Sequence, residues 1–307
     1  MYFDRIGRAF APAGRFVDRS YSNTVGNMSY KIYTPKGVGR KHTALLVMLH
    51  GCRQTPEDFA IGTRMNELAD EHGFLVVYPA QSSAANPLNC WNWFAEKDQA
   101  RDGGEPSLIA GITRQVALDH RIDARQIFVA GLSAGGAMAV ILAVTHPELF
   151  AAVGVHSGLP YGAAHDSASA LAAMRGNGGP QSGTSSAAPR VTPTIVFHGD
   201  YDTTVDVSNG IAIVDQAVSR AERAVGPMQK TSRERMSPGG RVYTTTVYHR
   251  PDTPSLVEYW VVHGAGHAWS GGSPLGSFTD ATGPDASAQM VRFFLAQRNA
   301  VPRLANA

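Results

Sequence analysis

The sequence predicts an α/β fold built on a mostly parallel central sheet. Three observations carry this: short apolar runs recur along the chain, segments with apolar residues three and four apart lie between them, and most runs are continuous rather than alternating. A strand covered on one face alternates, whereas one covered on both faces reads as unbroken Val, Ile and Leu.

Taken in order, Arg15–Tyr21 and Met28–Tyr33 alternate across turn residues Asn23–Asn27 and read as an N-terminal hairpin, about 15–34. The sheet strands are Ala44–His50, Phe74–Pro79, Ile127–Leu132, Ala151–His156, Thr194–His198 and Leu256–Val262. The covering helices are Pro56–Glu71, Glu105–His120, Ala134–His146, Ser208–Ala224 and Asp285–Gln297, with Gly73 and Pro147 as stops. Two stretches break the rhythm. The Gly/Ala/Ser-rich Tyr161–Pro193 reads as a surface insertion, a mobile loop or partial lid outside the core. Arg233–Pro254, with its alternating Val242–Tyr248, reads as an antiparallel excursion at one sheet edge.

With 307 residues, 43% of them hydrophobic, the chain can bury a large core, and the expectation is one catalytic domain over 1–307. No run approaches the length of a membrane span, and 27 basic against 25 acidic residues are scattered, so neither a bilayer nor nucleic acid is an expected partner. Met1–Val17 mixes charges into its apolar positions and has no signal-peptide core. That leaves an extracellular or periplasmic location if an export signal lies outside this sequence, and a cytoplasmic one otherwise. The oligomeric state is open.

Gly131-Leu132-Ser133-Ala134-Gly135 fits G-x-S-x-G between a strand and a helix, the context of a nucleophile elbow that exposes a serine hydroxyl. No phosphate-loop lysine follows, which argues against the alternative of a phosphate cradle. A serine needs a base, and the base needs a carboxylate to hold its tautomer. Of eleven histidines, His50, His198 and His263 end strands in His-Gly turns and read as supporting groups. His267 follows the last strand in the loop Gly264-Ala265-Gly266-His267 and is the candidate base. Asp200 and Asp202 both follow the strand Thr194–His198 and either can be the acid, with Asp202 favoured by position; Asp206 reads as a helix cap. The oxyanion donors are the amides of Ala134, next to the nucleophile, and Cys52, in the loop after the first sheet strand. The only other cysteine is Cys90, and a Cys52–Cys90 disulfide would fix that loop. Trp91, Trp93 and Trp269 are candidates for a substrate-binding wall.

These residues make the chain resemble the polyhydroxybutyrate depolymerase-type esterases, relatives of feruloyl and acetylxylan esterases in the α/β-hydrolase superfamily. The resemblance rests on Leu49-His50-Gly51-Cys52-x-Gln54, Cys90-Trp91-Asn92-Trp93-Phe94, Gly131-Leu132-Ser133-Ala134-Gly135-Gly136, His198-Gly199-x-x-Asp202-x-x-Val205 and Gly264-x-Gly266-His267-Ala268-Trp269. It implies an α/β-hydrolase fold without a large cap, and a triad of Ser133, Asp202 and His267. It also implies an acyl-enzyme esterase that needs neither metal nor cofactor, acts on short-chain polyester or on feruloyl or acetylxylan esters, and belongs to a family whose members are commonly secreted. A serine peptidase and a non-catalytic polymer-binding protein are the remaining alternatives.

Overall fold

The computed structural model describes residues 14–36, 44–178 and 191–297. Ten strands form one sheet in the order β1-β2-β4-β3-β5-β6-β7-β10-β9-β8. Its centre is parallel and buried at every residue but Val261: β4 (Leu75–Pro79), β3 (Leu45–Leu49), β5 (Ile127–Leu132), β6 (Ala152–His156), β7 (Thr194–Gly199) and β10 (Val257–Val262). Antiparallel pairs flank it, β1 (Arg15–Asn23) with β2 (Gly26–Thr34) on one side and β9 (Val242–His249) with β8 (Gln229–Met236) on the other.

The unbroken apolar runs feed both faces because successive strand side chains alternate. Leu45, Val47, Val129 and Val155 point into one core layer, with α3 (Gly104–His120), α4 (Ala134–Thr145) and α6 (Ser208–Val225). Leu46, Met48, Phe128 and Phe197 point into the other, with α1 (Pro56–Thr63), α2 (Met65–His72) and α7 (Ala286–Gln297).

The strands after β3 and after β5 depart toward opposite edges: β3 leads to β4 on one side, and β5 leads to β6 on the other. The crevice where the strand order reverses therefore opens between the carboxyl ends of β3 and β5, the usual position of a ligand site in such sheets. These ends carry the Cys52 loop and Ser133.

Four differences from the sequence reading have physical causes. The helix expected over Pro56–Glu71 is two, because Arg64 takes a left-handed conformation (φ 53°) between α1 and α2. The antiparallel excursion begins at Gln229 rather than Arg233, since all eight residues of β8 are exposed and leave no apolar period to read. The insertion at 161–178 does reach the core: α5 (Ser167–Ala172) is capped by Asp166, and Ala170 and Ala173 are buried. Asn209 Nδ2 donates to Ala173 O (2.9 Å), and Tyr161 and Gln216 exchange hydrogen bonds of 3.1 and 3.0 Å. Small side chains let this segment lie close against α6. The rest of the expected lid, 179–190, lies outside the described residues, as do 1–13 of the N-terminal reading. Last, Trp91 and Trp269 are core residues, as described below.

Candidate active site

Ser133 sits between β5 and α4 with φ 57° and ψ −121°, a conformation costly for any residue with a Cβ. Two glycines make it possible. A Cβ on Gly135 would overlap Leu49 O and come within 2.6 Å of His50 O, and one on Gly131 would overlap Gly135 O, so the end of β3 can cross the elbow only where side chains are absent. The Ser133 amide donates to His156 O (2.9 Å), and its carbonyl accepts from Ala137 N (2.9 Å), so the backbone is pinned on both sides. The hydroxyl makes no hydrogen bond among the described residues. It lies at the amino end of α4, where unpaired amides and the helix dipole favour developing negative charge.

Asp202 and His267 meet across 65 residues of sequence, His267 Nδ1 donating to Asp202 Oδ2 at 2.7 Å. The other carboxylate oxygen accepts the Thr204 and Val205 amides, both at 2.9 Å. Burial alone would push this carboxyl up, but the His267 hydrogen bond, the electrostatic influence of the nearby His267 and His198 rings and the Val205 amide together hold it below the usual aspartate range. A carboxylate only accepts, so the Asp202 bond places the proton of neutral His267 on Nδ1. Nε2 is left with a lone pair and no hydrogen-bond partner among the described residues.

The amides of Ala134 and Cys52 likewise have no partner among the described residues, as an oxyanion site requires. Cys52 and Cys90 are bonded to each other. The loop is further set by Gln54, whose Oε1 accepts Gly51 N (2.9 Å) and whose Nε2 donates to Asp58 Oδ2 (3.0 Å) and Ser277 O (3.1 Å).

Asp200, the alternative acid, instead binds His263 Nδ1 at 2.8 Å and the Gly264 amide at 2.6 Å. Asp206 accepts the Ser208 amide (2.9 Å) at the start of α6. His50 is buried, with Nε2 accepting Gln81 N (3.2 Å) and Nδ1 donating to Gly51 O (2.8 Å); burial lowers its pKa and keeps it neutral. His198, also buried and lowered by burial, donates from Nε2 to Val205 O (2.8 Å), 3.6 Å from Asp202 Oδ2.

The tryptophans do not form the expected wall. Trp91 is 0% and Trp269 1% exposed, with indole N–H groups donating to His50 O (2.9 Å) and Ser287 Oγ (3.0 Å). Side chains with no free surface cannot line a cleft, and both act as core beneath the loops. Trp93, 6% exposed, is nearly as covered and packs edge-on against Phe94.

His156 was not visible in the sequence as part of the site. Its backbone holds Ser133, and its ring accepts Ser270 N at 3.0 Å and stacks on Trp269, linking the nucleophile turn to the loop that follows His267. Burial, with the nearby His198 and His267, pushes its pKa down to about 3, so it stays neutral. A strand-ending histidine followed by Ser-Gly gives no periodic or motif signal of this role. Among the described residues no group of three or more His, Cys, Asp or Glu side chains could hold a metal ion, and no helix is long and apolar enough to cross a membrane.

Comparison with known proteins sets this geometry among esterases. Poly(3-hydroxyalkanoate) depolymerase C of Paucimonas lemoignei is 30% identical over 275 residues, covering 85% of this chain and 62% of that protein. An acetylxylan esterase of Coprinopsis cinerea is 34% identical over 154 residues, 49% of this chain and 40% of that protein. The chain thus spans less than two thirds of the length of these relatives. Among solved structures, acetyl xylan esterase from Aspergillus awamori superposes with a TM-score of 0.67 at 19% identity, covering 88% of this chain and 94% of that one, a likeness of fold. The fold is that of an α/β-hydrolase. The model of the esterase PHB depolymerase family matches residues 28–239, which include the Cys52 loop, Ser133 and Asp202. The chain belongs to the esterase PHB depolymerase family.

Proposed function

We propose that the chain is a serine carboxylic ester hydrolase, one catalytic domain over 1–307, acting on short-chain hydroxyalkanoate polyester or its oligomers. Ser133 Oγ attacks the ester carbonyl while His267 Nε2 takes its proton. The amides of Ala134 and Cys52 hold the oxyanion, and His267 returns the proton to the leaving alcohol. Water then attacks the acyl-enzyme by the same route, releasing the acid and restoring Ser133. Asp202 keeps the His267 proton on Nδ1 throughout. The observation that carries the reading is the 2.7 Å Asp202–His267 bond, which leaves His267 Nε2 free of hydrogen-bond partners among the described residues and able to act as a base.

The polyester preference rests on the match to the Paucimonas lemoignei depolymerase over 85% of the chain. The acetylxylan esterase match favours a second reading, de-esterification of plant cell-wall esters. The Cys52–Cys90 bridge supports an oxidising compartment, extracellular or periplasmic. The test is initial rates on p-nitrophenyl acetate to octanoate, hydroxybutyrate oligomers, acetylated xylan and methyl ferulate, with Ser133→Ala as the blank. Preference for the oligomers supports the first reading and preference for xylan or ferulate the second. Ester turnover retained in Ser133→Ala rejects both.

A further inference from the structure

The base loop has a construction problem. His267 follows Gly264-Ala265-Gly266, and glycine residues lose more conformational freedom on ordering than any others. Gly264 is left-handed (φ 67°) and a Cβ on Gly266 would meet nothing within 4 Å, whereas Ala265 is buried and its carbonyl accepts Tyr201 N at 3.0 Å, so the segment is held at Ala265 and the turn at Gly264 needs a hold of its own. Yet the imidazole has to be delivered within a fraction of an ångström of its working position.

A second carboxylate–imidazole pair lies between the same two loops as Asp202 and His267. Asp200, two residues before the acid, accepts His263 Nδ1–H at 2.8 Å through one oxygen and the Gly264 amide at 2.6 Å through the other. Because Asp200 only accepts, His263 carries its proton on Nδ1, and Nε2 accepts the Thr244 hydroxyl at 2.9 Å. Thr244 lies on β9, so the antiparallel edge of the sheet anchors the far end of the ring. Arg241, just before β9, adds a third hold: Nη1 donates to Gly264 O at 3.0 Å while Nη2 pairs with Asp280 at 2.9 Å. Gly264 is thereby gripped at both its amide and its carbonyl.

We infer that Asp200 and His263 form a positioning strut, anchored on Thr244, that fixes the glycine-rich loop so that His267 meets Asp202 and the nucleophile in register. Neither residue touches substrate, and the inference rests on the proposed triad for its kinetic expression. The antiparallel pair β8–β9 then has a functional use: it supplies the wall against which the base loop is braced.

The test uses the full chain and the variants Asp200→Ala, His263→Ala, their double, and His263→Asn, whose amide N–H can replace Nδ1–H toward Asp200. Expected for p-nitrophenyl butyrate is a fall in kcat of about 10- to 100-fold in each alanine variant at nearly unchanged KM. The double variant should be no worse than the singles, since one strut is lost only once, and His263→Asn, which keeps the bond to Asp200 and loses the one to Thr244, should lie between His263→Ala and the wild type. The downfield proton resonance of the His267–Asp202 bond should broaden or shift in the alanine variants and return in His263→Asn. Wild-type kcat in the alanine variants, losses that multiply in the double, or a His263→Asn variant as impaired as His263→Ala would overturn the strut. If an alanine variant fails to fold, His263→Phe, which keeps a ring and loses its hydrogen bonds to both Asp200 and Thr244, takes its place in the same comparison. The resonance reads the strut without any substrate, so a Ser133→Ala variant that kept its turnover would reject the proposed reaction and leave the strut separately decided.

Discussion

Removing the Cys52–Cys90 bridge, by reduction or by replacing both cysteines with alanine, cuts a cross-link between residues 38 apart. Closing a loop of that size removes about 13 cal/mol/K of entropy from the unfolded chain, so its loss should cost about 4 kcal/mol at 25 °C. For a chain of this length that is a fall in Tm of about 6 °C. The folded site should change much less, because the two loops are joined by other bonds. Arg53 N donates to Leu88 O at 2.7 Å, Trp91 Nε1 to His50 O at 2.9 Å, and Gln81 Nε2 to Cys90 O at 3.0 Å. The proposed oxyanion donor at Cys52 is a backbone amide, which alanine retains. Urea unfolding of the oxidised, reduced and double-alanine forms, with ester turnover measured below the transition, separates the two effects. A stability loss under about 1 kcal/mol would refute the unfolded-chain account. A kcat loss beyond about tenfold in folded protein would mean that the bridge itself shapes the oxyanion site.

Replacing Asp202 by Asn should lower kcat by about 10⁴, because the amide cannot hold the proton of His267 on Nδ1; steady-state rates check this. Since the folded Asp202 carboxyl lies below its unfolded range, its contribution to stability is present above that range and lost as pH falls through the folded value, so Asp202→Asn should flatten the acid limb of a urea-unfolding series. Glu105 behaves in the opposite sense: burial, then the charge of Asp98, raises its carboxyl to about 7 against hydrogen bonds from Asn92 and Gln81. Stability should therefore decline by up to about 3 kcal/mol as pH rises from the unfolded carboxylate range to about 7, and an equal decline in Glu105→Gln would reject this. Gly135→Ala should destabilise the fold by more than about 2 kcal/mol, because its Cβ would meet two main-chain carbonyls that cannot move independently; an unchanged urea midpoint would contradict the close approach of β3 to the elbow.

Much of the fold was legible in the chain because its central strands are buried on both faces and its main helices are amphipathic or buried, which writes a period into the sequence. The proposed triad of Ser133, Asp202 and His267 could be put forward for a related reason: the G-x-S-x-G turn, the strand-end aspartates and the glycine-rich loop before His267 each carry local chemistry that spacing reveals. Where burial left no pattern, reading failed. The uniformly exposed β8 and the small-residue packing of 161–178 had no period to offer, and Trp91 and Trp269 gave no sign from neighbouring residues of whether they faced a cleft or a core.

Sequence alone determined the strand and helix periods and the strand-to-helix turn at Ser133, since these depend on residues near one another in the chain. Spacing alone left the two aspartates after β7 open, and the tertiary structure pairs Asp202 with His267 and Asp200 with His263, partners more than sixty residues away in the chain. The same holds for His156, whose carbonyl accepts Ser133 N and whose ring accepts Ser270 N, and for Thr244 behind His263. Such bonds form between chain segments brought together by sheet order, and sheet order is set by the burial of the whole core rather than by any local run of residues.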